Sequence, residues 1–336
     1  MTNEEKSKLA LEYLEMAKKS ENVKPFESSH YFRKALMFFR DIGDSANQQI
    51  CKTALTDQNQ KAAEGFEKFT WTDTVQQCEL DRILEGYRED KEIESILMRI
   101  GLDPLLCPPY DSIVNLAKNS IPVTLAFVSL TTQSPSGHLL PEGSSASEVW
   151  FSEMYKMNDA RRCTYFQHLW QFLVTEKGLT LDKLLDYIER LGLFDPEDLF
   201  FIKKGLERFF SRDYVSSIHI LIPRIENVFM KIAAGLEIDS IALDRSRPGE
   251  LVTREKMMSS DFLMSSGVSD VFGRNFCGFI DFLLTKPLGH NLRNRMAHGD
   301  LLSGECSESN CLSLIYMLLI FSTNFSKKLI YRPYLI

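Results

Sequence analysis

Between Thr285 and His298 the chain carries three fixed positive charges, Lys286, Arg293 and Arg295, and two histidines, His290 and His298, with no acid among them. Such a local excess of charge, inside a chain of net charge -7, suits a phosphate. Arg293 offers a fork of charge-assisted hydrogen bonds to phosphate oxygens. His298 is of the one residue type that ordinarily exchanges protons near neutrality. If the segment is helical, Gly299 ends it and leaves His298 in the last turn, where the partial negative charge of the terminus suits a proton-donating ring. Asn294, four residues before His298, shares its face and is placed to orient the ring or a bound phosphate. Spacing also sets a limit. Arg293 and His298 are five residues apart, so on a regular helix they diverge by about 140°. Both reach one phosphorus only if the helix is distorted, or if two copies of the segment face each other across a two-fold axis.

A second set of polar residues lies upstream. His219 and Glu226 are seven apart and fall on one side of a helix, either as an auxiliary polar pair near the site or as a buried histidine satisfied by its neighbour. Other familiar chemistries lack their residues: there is no GxxxxGK[ST], no GxGxxG, no GxSxG and no HExxH. Seven cysteines form an odd count without a CxxC pair, and six histidines are scattered. This pattern predicts buried reduced thiols and neither metal nor cofactor.

The elements that must position these residues read as helices. Phe32, Ala35, Leu36, Phe39 and Ile42 recur at steps of three and four before Gly43. The segment HYFRKALMFFRDIGD has the small-and-aromatic alternation of helix-hairpin repeats, but no second copy follows at a fixed period. One helix is predicted from about Thr74 to Ile100, with Arg88, Glu89, Asp90 and Lys91 on a solvated face. The stretch Thr131 to Glu148, dense in Ser, Gly and Pro and containing His138, reads as a linker. Helices are then predicted at about Val149–Glu176, Thr180–Leu191, Pro196–Phe210 and Phe276–Leu284, with a closing helix at about Ser309–Ile330. Val215, Ile218, Ile222, Ile225, Phe229 and Ile232 step by three and four, the mark of a helix buried along one stripe, in which Pro223 removes one backbone bond. Strand signals are few and allow at most a small hairpin near Ile241 to Thr253. The expected fold is all-α, with an N-terminal helical domain over 1–147 and a C-terminal helical bundle over 148–336.

Composition agrees with a globular chain. The 336 residues are 44% hydrophobic and 25% charged, which excludes a disordered or fibrous protein. Residues 1–147 hold 16 basic and 22 acidic side chains, and 148–336 hold 23 and 24, so the acidity lies mostly in the first part. The longest apolar stretch, Cys311 to Phe321, is about half of what a bilayer requires. The N-terminus lacks a secretory pattern, so a cytoplasmic protein without a membrane span is expected.

The run Arg293-Asn294-x-x-x-His298 resembles the signature of HEPN (higher eukaryotes and prokaryotes nucleotide-binding) ribonucleases. Together with Asp213-Tyr214 and IHILIPRIENVFM, with its His219, Pro223 and Glu226, it looks like the C-terminal domain shared by the endoplasmic reticulum membrane-associated RNA degradation protein and bacterial relatives. The resemblance spans about Asp213 to the end. It implies an all-helical, dimeric bundle that cuts RNA without metal by attack of the ribose 2'-hydroxyl. On that reading His298 moves protons, Arg293 stabilises the phosphorane and Asn294 positions both; Lys286, His290, Arg295, His219 and Glu226 are auxiliary. RNA, a second copy and a regulatory or antitoxin protein are the implied partners, in a toxin or antiviral role. A catalytically inactive interaction module and a nucleotide-binding regulator are the alternatives.

Overall fold

The computed structural model describes residues 1–21, 23–64, 74–103, 106–122, 145–239, 241–243, 253–255 and 258–325. Among the described residues the fold is all-α apart from one short hairpin. Described residues up to 64 form one compact unit and those from 74 onward another. This differs from the boundary expected at 147: the helices between 77 and 119 belong with the C-terminal bundle. Of the stretch 131–148 read as a linker, residues 131–144, with His138, lie outside the described residues, and the rest is the start of a helix over Ala146–Thr175, where Ser145 and Glu148 close a capping box.

The first unit holds α1 (Asn3–Ser20), α2 (Pro25–Asp41) and α3 (Ser45–Glu64). Thr2 and Glu5 close a reciprocal capping box at the start of α1, and Pro25 opens α2 where no helical donor is needed. Ala10, Leu14 and Ala17 bury one face of α1 against Phe32, Ala35 and Phe39 of α2, with Cys51 from α3 completing the core. Alanines at three of these positions let the backbones approach closely.

The second unit begins with α4 (Gln77–Arg88), α5 (Ile93–Leu102), α6 (Tyr110–Asn119) and α7 (Ala146–Thr175). It continues through α8 (Leu181–Leu191), α9 (Pro196–Phe210) and α10 (Tyr214–Gly235). The strands β1 (Ile241–Leu243) and β2 (Thr253–Glu255) pair antiparallel, with Ile241 opposite Glu255. Three short helices follow, α11 (Ser260–Leu263), α12 (Ser266–Phe272) and α13 (Arg274–Ile280). A π-helical turn (Asp281–Thr285) then leads to α14 (Leu292–His298) and α15 (Glu308–Asn324).

Where one helix was expected from 74 to 100 there are two. The charge run is the break, and Lys177 Nζ donates to the carbonyls of Arg88 (3.0 Å) and Asp90 (2.6 Å), satisfying acceptors that the end of α4 leaves open. Side-chain caps open other helices. Asp195 Oδ1 accepts from the Asp198 amide at 2.8 Å, and Asp213 Oδ1 accepts from the Ser216 amide at 3.1 Å.

The centre of this unit is α15, buried without interruption from Asn310 to Thr323. A helix apolar on every side belongs inside a bundle, which explains the Cys311–Phe321 run. Among the described residues no helix is long and apolar enough to cross a membrane. Helix α5 crosses α15 at Gly101, where a Cβ would come within 2.4 Å of Thr323 Oγ1 and 2.8 Å of the Leu319 carbonyl oxygen. Helix α10 buries Ile218, Ile222, Ile225, Phe229 and Ile232 as the spacing predicts, but Val215 is 47% exposed, so the stripe starts one turn late. Pro223 sits on the exposed side of the helix, away from the buried stripe, so the backbone bond it removes is not one of the core-facing ones. Cys107, Cys277 and Cys311 are buried among apolar side chains, and burial pushes each thiol up to about 12.

Candidate functional site

The charged segment is held by the turn that precedes it. After α13 the chain widens into a π turn, closed by the Lys286 amide on the Asp281 carbonyl at 2.7 Å. Single π turns recur beside functional sites. The Asp281 carboxylate, 1% exposed, accepts from Ser260 Oγ at 2.5 Å and Thr285 Oγ1 at 2.6 Å. The loop then folds back so tightly that a Cβ at Gly289 would lie 2.2 Å from the Phe282 carbonyl oxygen. The His290 amide donates to that same carbonyl at 2.9 Å. Asn291, in the left-handed region at φ 52°, starts α14.

Within α14, Asn294 is a bracket. Its Nδ2 donates to the Thr285 carbonyl (3.1 Å) and to Asn291 Oδ1 (2.7 Å), and its Oδ1 accepts from Arg293 Nη1 at 2.7 Å. The Arg293 fork is occupied from the other side by Glu226 of α10: Nε donates to Oε2 at 3.0 Å and Nη2 to Oε1 at 2.9 Å. Both side chains are largely covered, at 16% and 21% exposed. Of the five guanidinium N–H groups, three are used and two remain.

His298 is placed differently. It closes α14, and Gly299 at φ 75° ends the helix as expected, with the Asp300 amide on the Arg295 carbonyl at 2.8 Å. The ring is exposed and makes no hydrogen bond or ion pair among the described residues. Since α14 is α-helical through His298, Arg293 and His298 leave it on faces about 140° apart. The structure therefore joins Arg293, Asn294 and Glu226, and leaves His298 alone.

The expected positive excess is offset by acids that flank the segment on either side. Arg295 forks onto Glu305 and also donates to the Asp300 carbonyl at 3.0 Å. Burial would raise the Glu305 carboxyl, but the Arg295 bonds outweigh it and hold the group below the usual carboxylate range. Lys286 Nζ lies 4.0 Å from Asp281 Oδ2 and 5.4 Å from the centre of the Phe151 ring.

His290 Nε2 contacts Asp159 Oδ2 at 3.1 Å, which ties the loop to a buried ion pair on α7. Asp159 and Arg162 are 2% and 3% exposed, with Arg162 Nε donating to Asp159 Oδ1 at 2.8 Å and Nη2 to Ser313 Oγ at 2.7 Å. Burial alone would raise the Asp159 carboxyl; the Arg162 charge and the His290 bond override it and bring the group down to about 2.

His219 departs from expectation. It is exposed, its Nδ1 donates to the Val215 carbonyl at 2.8 Å, and it does not pair with Glu226. Seven residues bring two side chains to one flank of a helix, but Glu226 is turned toward the stronger partner, Arg293. Sequence reasoning missed Asp159, Arg162, Asp281 and Glu305. A signal for the first two existed: Tyr155, Asp159, Arg162 and Phe166 step by four, three and four, so two charges occupy positions of a buried stripe.

The chain matches no protein-family model, no curated protein and no solved structure. The site must therefore be read from its own geometry. Among the described residues no group of three or more His, Cys, Asp or Glu side chains is arranged to hold a metal ion.

Proposed function

We propose that the second unit is a metal-independent endoribonuclease of the HEPN type, acting as a dimer in which the α14 segments of two copies complete one site. The observation that carries this reading is the contrast within α14. An arginine is fixed by Glu226 and Asn294 with two N–H groups to spare, while a histidine with no partner among the described residues stands in solvent five residues on, on another face of the helix. The fixed guanidinium is organised to stabilise charge on a phosphorane, and the free imidazole is organised to move a proton. The divergence of the two along a regular helix favours a second copy. One imidazole then accepts the 2'-hydroxyl proton as the oxygen attacks phosphorus, and another protonates the departing 5'-oxygen. Residence in the cytoplasm and a toxin or defence role, with a regulatory protein as partner, belong to this reading.

RNA incubated with the protein and a chelator is expected to yield fragments ending in 2',3'-cyclic phosphate. His298→Ala should lower the rate by about 10²–10⁴ with fold and oligomeric state unchanged. Loss of wild-type cleavage in chelator, or full activity in the variant, rules the mechanism out.

One observation favours a second reading, a catalytically silent helical interaction module. Arg293, Arg295 and Lys286 each face a carboxylate, so the segment has little net charge to attract a polyanion. Wild-type protein that dimerises but neither cuts nor binds RNA would establish it.

A further inference from the structure

A cleft of about 630 Å³ opens on the second unit between α4, α7 and the turn joining α9 to α10. Tyr214, at the start of α10, lines it, whereas Glu226 lies twelve residues on, about 18 Å along the helix, so the cleft is separate from the RNA site proposed above. Its volume is that of an ordinary small-molecule site.

The lining combines flat aromatic surface with a few polar groups. Trp170, Phe210 and Tyr214 supply the rings, with Trp170 and Phe210 centred 6.1 Å apart and tilted at 57°. The Trp170 indole N–H takes no hydrogen bond among the described residues. Gln171 and Glu308 add hydrogen-bonding groups, the latter an acceptor suited to an amino or hydroxyl group.

Arg212 is the informative residue. It occupies the left-handed region at φ 61°, in the turn that ends α9, with its amide on the Phe209 carbonyl at 2.9 Å. A helix ends in this way most easily on glycine, and an arginine there is strained. The strained turn holds its side chain at the cleft, exposed, with no carboxylate or carbonyl partner among the described residues. Every arginine of the candidate RNA segment is paired; this one is not. Strain retained at a cleft wall, together with an unpaired cation beside aromatic rings, marks a binding site.

We propose that this cleft binds a small molecule built on a flat aromatic or heteroaromatic ring with an anionic substituent. The ring packs against Trp170, Phe210 and Tyr214, and the anion takes the Arg212 guanidinium. Phosphate and carboxylate share the chemistry that Arg212 recognises.

Calorimetric titration of the full chain tests this, with AMP and nicotinate as anionic probes and adenosine and nicotinamide as their uncharged counterparts. At least one anion is expected to bind more tightly than about 1 mM and to exceed its neutral counterpart by about tenfold. Binding by AMP alone assigns a phosphate ligand, and binding by nicotinate alone a carboxylate. Arg212→Gly suits the turn, so its melting temperature should equal or exceed that of the wild type while the preference for the anion disappears. Failure of both anions to bind, or undiminished binding by the folded Arg212→Gly protein, overturns the proposal. No residue in this test takes part in the proposed RNA cleavage, so the two readings fail independently.

Discussion

At the scale of single residues, the candidate site is governed by pairing across long stretches of chain. Arg293 and Glu226 are 67 residues apart in sequence, yet they form a two-pronged ion pair that is mostly shielded from water. Glu226→Gln should cost about 1–2 kcal/mol of stability, read by urea denaturation, because the arginine keeps its charge and loses its strongest acceptor. If the enzyme reading holds, the same variant should cut RNA about tenfold more slowly, through loss of guanidinium orientation. Asp159 yields a prediction in pH. Its carboxyl is lowered in the folded state, so its contribution is present above the ordinary carboxylate range and is lost as pH falls from about 4 toward 2. Asp159→Asn should therefore remove about 2 kcal/mol at neutral pH and flatten the acid limb of a stability-against-pH curve. The Arg293–Asn294 neighbourhood and the exposed helix-end position of His298 were legible in the sequence because they depend on residues close in the chain. Their partners were not, since periodicity tells which flank of a helix a residue occupies and not which distant side chain meets it. Helical spacing alone therefore points Glu226 to His219, its neighbour along the helix, and not to Arg293.

Among elements, local chemistry was the most readable. The helix start at Asp195-Pro196 and the stop at Gly299 both follow from residue types within a few positions of each other. The break between α4 and α5 was hidden because its charged residues look the same on an exposed helical face as in a loop, and the lysine that caps it comes from the end of α7. The π turn was equally silent, since no residue type within Asp281–Thr285 marks it. The loop after it has a sharp requirement at Gly289. Gly289→Ala places a methyl group where the Phe282 carbonyl oxygen already is, so stability should fall by about 1–3 kcal/mol and α14 should lose its fixed entry. A thermal melt measures the first effect, and amide exchange across Leu292–His298 measures the second.

For the whole chain, apolar spacing marked the N-terminal helices as helices but could not say which core each one joins. Ile96, Leu97 and Ile100 of α5 are fully buried against the second unit, and the Tyr316 hydroxyl donates to the Asp103 carbonyl at 3.3 Å. A fragment covering residues 74–336 should therefore unfold in one cooperative urea transition, whereas one covering 148–336, the domain that the Ser/Pro/Gly-rich stretch suggested, should fail to fold. Circular dichroism of the two fragments checks this. The uninterrupted burial of α15 has its own kinetic corollary. A helix with no face on the surface cannot shed deuterium label by fraying sideways; its middle amides, from Leu314 to Leu319, open only when the surrounding helices let go. Those six peptide groups form a built-in clock for global unfolding, and every event at α14 or the Arg212 turn will run faster than it ticks.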